Sequence, residues 1–247
     1  MLLRTVFLVW LLVTSCMALG ANDLFQLIKQ MPEAYAGVKD YTATFTRSEI
    51  LNGKQRPEET IALKFREPLQ VYMKWLSESG KDREAIYVKG RDGDKALVHE
   101  PGWISGHFTV LLPPDGPTIM SRSRHPFSEI GIGRIIELLI STFEKANQAG
   151  ELEMRDRGTV NEDGRNVRVI EGILPKDPAK KYYCYRAIVS IDENLKLPVA
   201  VKVYDWSDKL IEDYRYKNVQ INQGLTDIDF SPENPNYAFP KTRINRR

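Results

Sequence analysis

The stretch Pro126–Gly150, PFSEIGIGRIIELLISTFEKANQAG, decides the fold, because it is the longest helical pattern past the leader and nearly everything on either side reads as strand. Ile132, Ile135, Ile136, Leu139, Ile140 and Phe143 recur at the i, i+3, i+4, i+7 spacing of one helical face, so a broad apolar stripe must be buried against another surface. With strands as neighbours, that surface is a sheet. Ser128 is placed to cap the N-terminus, Glu129 sits in the first turn where the helix dipole favours negative charge, and Gly150 supplies the stop. Taken alone, the stripe completes a core.

Outward from this helix the pattern becomes alternating. On the N-terminal side Tyr41, Ala43 and Phe45 share one strand face, and Asn52-Gly53 marks a hairpin before Ile61, Leu63 and Phe65. Val71, Met73 and Trp75 continue after Pro68, followed by strands at 85–89, 95–99 and 107–112, with Asp92-Gly93 as another turn. On the C-terminal side, strands at 152–160 and 166–174 flank Asp163-Gly164, strands at 182–191 and 198–204 flank Asp192-Glu193-Asn194, and 209–219 closes the set. The expected fold is mainly β (α+β): an antiparallel sheet of two meanders that twists and curls, with one long and one kinked helix packed against it. The kinked helix follows the leader. Leu24, Leu27, Ile28, Met31 and Tyr35 form its stripe behind an Asn22 cap, and Pro32 predicts a kink or two short helices before Gly37. The loop LLPPDGPTIMSRSRHPFS reads as solvated, or as a charged rim beside a cavity through Arg122, Arg124 and His125. The segment GLTDIDFSPENPNYAFP reads as an irregular end.

A chain of 247 residues, 42% hydrophobic and 28% charged, is long enough for one large β domain. Residues 21–240 are expected to form it, with 241–247 as a basic tail carrying Lys241, Arg243, Arg246 and Arg247. A net charge of +2 without a dense basic run in the body argues against a nucleic-acid partner. Residues 1–20 have the layout of a secretory signal: Arg4, an apolar run from Val6 to Val13, then small residues. Cleavage after Gly20 would release a soluble protein, whereas Val13-Thr14-Ser15-Cys16 resembles a lipobox whose Cys16 becomes lipidated. Both outcomes stay open, and both export the chain. Contact with the membrane is then through a Cys16 anchor or transient. Cys184 would have no partner in either mature form, so it reads as a packed thiol in a strand.

No catalytic constellation emerges, and neither a metal nor a cofactor is expected. His99, His107 and His125 lack helical ligand spacing, and His99-Glu100 is followed by Pro101-Gly102 rather than by a zincin helix. Ser105 with His107 is a weak hydrolase candidate that lacks the flanking glycines of a nucleophile elbow and an orienting third group. Asp92/Asp94 and Asp227/Asp229 fit turns and caps better than a cation loop. What remains is more apolar sheet than the helices can cover. A curled sheet incompletely filled leaves an apolar concavity, and at about 0.8 kcal/mol per buried methylene a sixteen-carbon chain would gain roughly 12 kcal/mol before ordering costs.

Several words in the chain are similar to a known family. YTATFTR at 41–47, LKFREPLQVYMKW at 63–75 and RDGDKALVHEPG at 91–102 resemble the lipoprotein-localisation fold shared by LolA and LolB. SRHPFSEIGIG at 123–133 and DFSPENPNYAF at 229–239 resemble, within it, the bacterial envelope family of domain of unknown function 1571. The loop before the central helix is longer than in LolA. The resemblance implies a curved antiparallel half-barrel of two meanders, with one long and one kinked helix on its concave face as a lid over an apolar cavity, in a periplasmic protein whose partner is a lipid or an acylated protein. It also implies a lid contact from an arginine near the first strand, for which Arg47 is the counterpart. The ligand-binding set expected is Tyr41, Phe45, Leu63, Phe65, Met73, Trp75, Ile136, Leu139 and Ile140, with Arg47, Arg122, Arg124 and His125 as the polar rim. The alternative on the same fold is an envelope-stress sensor that docks a partner protein through 113–126. A hydrolase is the remaining one.

Overall fold

The computed structural model of the chain describes residues 20–101 and 109–240. Helix α1 (Ala21–Ala36) leads into the first meander: β1 (Asp40–Leu51), β2 (Lys54–Gln55), β3 (Glu59–Arg66), β4 (Gln70–Trp75), β5 (Glu84–Val88), β6 (Ala96–His99) and β7 (Thr109–Leu112). After the short α2 (Pro117–Met120) and the long α3 (Ile132–Gln148) comes the second meander: β8 (Glu153–Glu162), β9 (Arg165–Ile173), β10 (Arg186–Asp192), β11 (Pro198–Tyr204) and β12 (Leu210–Ile221). The expected fold class holds: an open antiparallel sheet of 12 strands in the order β7-β6-β5-β4-β3-β1-β12-β11-β10-β9-β8, with β2 paired to β1 alone, curved as a half-barrel beneath its helices.

The two meanders are joined where β1 pairs with β12, a contact between the first and last strands of the sheet. A register shift between Thr42 and Thr44 puts a bulge in that seam, which increases local twist. The chain leaves one sheet edge at β7 and re-enters at the other edge, β8. Helix α3 therefore crosses the inner face to connect them. The hairpin signals are where the sequence puts them: Asn52, Asp92 and Asp163, each followed by Gly, all have positive φ.

Several expectations need correction. Helix α1 runs unbroken through Pro32, so the two-short-helix option fails, and its N-cap is Gly20 rather than Asn22. Ser128 lies in a separate 3-10 turn, Phe127–Glu129, and α3 starts only at Ile132, after Gly131, whose φ of 125° separates the two. Gly150, at φ 66°, does end it. Strand β10 begins at Arg186, not at residue 182. Cys184 is thus buried but lies before the strand, and Tyr183 and Tyr185 do not continue the buried face of Ala187, Val189 and Ile191.

The core has two parts. The larger lies on the inner face, between the sheet and α1, α2 and α3. The smaller lies on the outer face of β4, β5 and β6, where Tyr72, Ile86 and Leu97 are covered by Phe230 and Phe239. The segment that reads as an irregular end is therefore a strap across the outer face. Tyr237 stacks on Tyr72 with centroids 3.8 Å apart, Lys64 pairs with Asp229 at 2.7 Å, and Arg66 pairs with Asp227. Asp229 also completes a capping box with Thr226, so these aspartates are a cap and ion pairs.

Candidate functional site

Helix α3 is seated at its two ends. At the N-terminus, the backbone N–H of Ile132 has no acceptor within the helix and donates to the Tyr41 hydroxyl at 3.0 Å. The Tyr41 ring stacks on Phe65, which lies so close to Gly131 that a Cβ there would meet it at 2.8 Å. At the other end Phe143 stands over Gly172, where a Cβ would meet the ring at 2.4 Å. Between these supports the sheet offers small or β-branched residues, Ala187, Val201 and Val203, and the gap is not filled. The result is an apolar cavity that opens to solvent at its mouth, lined also by Phe45, Leu139, Phe143, Thr142, Cys184, Tyr214 and Tyr216.

One end of this cavity is polar. Glu49 on β1 and Glu212 on β12 project inward and are 3% and 2% exposed, which charged groups tolerate only when fully bonded. Glu212 accepts from Arg124 Nε at 2.7 Å and from the Tyr183 hydroxyl at 2.6 Å, with His125 Nε2 at 3.5 Å. His125 Nδ1 lies 3.2 Å from Glu129. Glu49 accepts from the Tyr214 hydroxyl and from the Arg124 backbone N–H. Burial favours neutral His125, but Glu212, then Glu129 and Glu49, outweigh it and hold its pKa above the ordinary value. Burial likewise opposes charge on Glu212, yet His125, Tyr183 and Arg124 hold its carboxyl below the ordinary range. Both groups are therefore ionised throughout the window between their ordinary values of 4.5 and 6.5. Burial, then Glu212, pushes the Cys184 thiol up to about 12, which leaves it unreactive.

Arg47 lies beside this cluster, giving Nε to Glu59 at 2.7 Å and Nη1 to the Ser123 hydroxyl at 2.8 Å. A second cavity opens on its other side beneath α2 and is lined by Met73, Trp75, Val98, Leu112, Ile119 and Phe127. Arg47, Ser123, His125 and Ile130 face both spaces. A further cleft between α1 and α3, about 930 Å³ and wide open, carries Tyr35, Phe65, Leu69, Ile136 and Ile140.

The residues expected to bind ligand are thus divided. Phe45 and Leu139 line the first cavity, Met73 and Trp75 the second, and Phe65, Ile136 and Ile140 the cleft. Tyr41 and Leu63 are core residues that line none of these spaces. Of the rim, Arg47 and His125 border both cavities and Arg122 the second. Arg124 lines neither, and instead ties the loop to Glu212 and to the Ile50 carbonyl. The solvated-loop reading of 111–128 is therefore wrong: Ile119, Ser123 and Phe127 are buried. Sequence reasoning missed Glu49, Glu212, Tyr183 and Tyr214. Its available signal was parity, since Glu49 continues the inward set Tyr41, Phe45, Arg47, and Glu212 continues Tyr214 and Tyr216. Cys16, Ser105 and His107 lie outside the described residues. Among the described residues no His/Cys/Asp/Glu group is arranged for a metal, and no helix is long and apolar enough to cross a membrane.

Residues 38–239 match the family described as Protein of unknown function (DUF1571), and the chain belongs to it. No curated protein matches it in sequence. Among solved structures it is similar to the Mycobacterium tuberculosis lipoprotein LppX, with 14% identity, 84% of this chain and 99% of that one covered, and a TM-score of 0.50. It is also similar to a LolA superfamily protein from Nitrosomonas europaea, with 10% identity, 84% and 96% coverage and a TM-score of 0.35. For the Pseudomonas aeruginosa MucA/MucB complex the values are 13% identity, 85% and 60% coverage and a TM-score of 0.44. These likenesses concern the fold alone.

Proposed function

We propose that this chain is an exported envelope protein that holds an acyl chain, of a lipid or of an acylated protein, beneath α3. The observation that carries the reading is the apolar cavity between a helix fixed at both ends and a sheet that does not fill the space below it. Ligand sites are concave, mostly apolar and provided with a few placed polar groups, and this one has Glu212, His125 and Tyr183 at one end. Binding there needs no catalytic residue, because burial of methylenes supplies the free energy. A lipoprotein, LppX, shares the fold. Export rests on residues 1–20, as signal peptide or as a lipidated leader ending at Cys16.

The test is replacement of Leu139 by Lys, which places a charge on the cavity wall. A fluorescent fatty-acyl probe should bind wild type and lose at least about tenfold in affinity for the variant, the equivalent of about 1.4 kcal/mol. Circular dichroism melts confirm that the variant is folded. Unchanged probe affinity in a folded variant would rule the cavity out.

A further inference from the structure

The two cavities, the polar strip between them and a third space together describe a more specific ligand. A small cleft open to solvent lies beside the strip, walled by Arg47, Glu49, Arg56, Glu59, Ser79 and Arg122. Arg47 faces all three spaces, and Arg122 faces both the cleft and the second cavity. A ligand with one chain needs one apolar compartment. Two compartments that meet at a polar point suit a molecule with two chains and a polar junction.

The cleft is short of carboxylates. Glu59 is shared by Arg47, at 2.7 Å, and Arg83, at 3.9 Å; Glu100 is shared by Arg83, at 2.9 Å, and Arg122, at 2.7 Å. Glu49 also faces the cleft and acts on Arg47 while bonded to Tyr214 and the Arg124 backbone, so the four guanidinium groups of Arg47, Arg56, Arg83 and Arg122 meet three carboxylates. Arg56 is exposed and has no side-chain partner among the described residues. Guanidinium groups in excess over their carboxylates, fork-shaped and close together, fit a phosphate. A second, independent sign of a missing group lies in the compartment beneath α2. The buried Trp75 Nε1–H has no acceptor among the described residues, and a donor left this way costs free energy. A ligand carbonyl in that compartment would satisfy it.

We propose that the ligand is a phosphate-bearing lipid with two ester-linked chains, one chain in each compartment, its phosphate on Arg47, Arg56 and Arg122 and an ester carbonyl on Trp75. This rests on the acyl-binding reading above and adds the chain number and the headgroup charge.

The experiment is native mass spectrometry titration of the mature protein with four probes: dioleoyl-phosphatidylglycerol, dioleoylglycerol, which has the same two chains and no phosphate, the one-chain lyso-phosphatidylglycerol, and oleyl alcohol. Inorganic phosphate is added as competitor. The expected result is one phosphatidylglycerol per chain, bound at least about tenfold tighter than either dioleoylglycerol or the lyso form. In the double variant Arg56→Gln/Arg122→Gln the preference over dioleoylglycerol should fall to within about threefold, as expected when charge-assisted contacts are lost. If oleyl alcohol binds but phosphatidylglycerol, dioleoylglycerol and the lyso form are equal, the two-chain phosphate proposal is overturned while the acyl cavity stands. If no probe binds, oleyl alcohol included, the cavity reading itself falls. Displacement of phosphatidylglycerol's advantage by millimolar phosphate alone, with no difference between two chains and one, would make the cleft a free-phosphate site and would also overturn the proposal.

Discussion

The two ends of the sheet are covered in opposite ways. Strands β4, β5 and β6 are buried on both faces: α2 and the inner core lie on one side, and the strap at 225–239 lies on the other with Phe230 and Phe239 against Tyr72, Ile86 and Leu97. Strands β10, β11 and β12 are apolar on the inner face only. Outside they carry ion pairs such as Arg186–Glu171, Lys202–Asp213 and Arg215–Glu58, and inside they are roofed by a helix held at its ends. The strap close-packs the outer face of the first half and contributes stability, whereas on the inner face both halves keep space beneath their helices, under α2 and under α3, at some cost in lost contacts. Filling is thus the work of the first half's outer face, and holding that of the inner face.

The strap should be where stability is most sensitive. Phe230→Ala removes a fully buried ring from the outer core and is expected to cost about 3–5 kcal/mol in urea unfolding. A cost below about 1 kcal/mol would mean that the strap is decoration, and the contrast between the halves would collapse.

Next is the seat of α3. Gly172→Ala forces Phe143 to move and should cost about 1–3 kcal/mol by overpacking. Phe143→Leu in the same chain should recover part of it, because the smaller side chain frees the space above residue 172. Recovery in the double variant sharpens the picture of a helix supported at its ends.

The polar end of the cavity predicts a pH dependence. His125 has a raised pKa in the folded chain, so its contribution is complete below its ordinary value of 6.5 and is lost as pH rises through the raised value. Glu212 is depressed, so its contribution is present above its ordinary value of 4.5 and is lost as pH falls through the lower folded value. Stability from this cluster should therefore be greatest between those ordinary values and decline on the alkaline side. His125→Asn should flatten the alkaline limb of a melting-temperature profile. An unchanged limb would remove the histidine from the cluster's energetics.

The smallest effect is expected on the outer face of the second meander. Arg215→Gln breaks a half-exposed pair with Glu58, and such pairs are worth about 0–1 kcal/mol. A loss above about 2 kcal/mol would show that this face is structurally committed too.

The meanders, the hairpin turns and the long helix were legible because they depend on periodicity and on Asn-Gly and Asp-Gly pairs, which act locally. Where α3 begins was not, since Gly131 reads as an ordinary helix position until Phe65 and Tyr41 are placed beneath it. Pro32 was over-read: tertiary packing of Leu24, Ile28 and Met31 holds α1 together despite the lost donor. The loop at 111–128 looked solvated because Ser, Arg and His are common on surfaces. Their partners, Glu49 and Glu212, are some 75 and 88 residues away, and only the fold brings them together. The strap was missed for the same reason: its aromatics have no period, and the surface they cover, Tyr72, Ile86 and Leu97, sits on the strand faces that alternation assigns to water.

The most direct measurement is native mass spectrometry of the mature protein purified gently from its own cell envelope, with denaturation to release and identify what it carries. A stoichiometric acylated molecule, displaced by the Leu139→Lys substitution, is the predicted result. A chain that emerges empty, and that binds no acyl probe added afterwards, would contradict a sheet built to hold one.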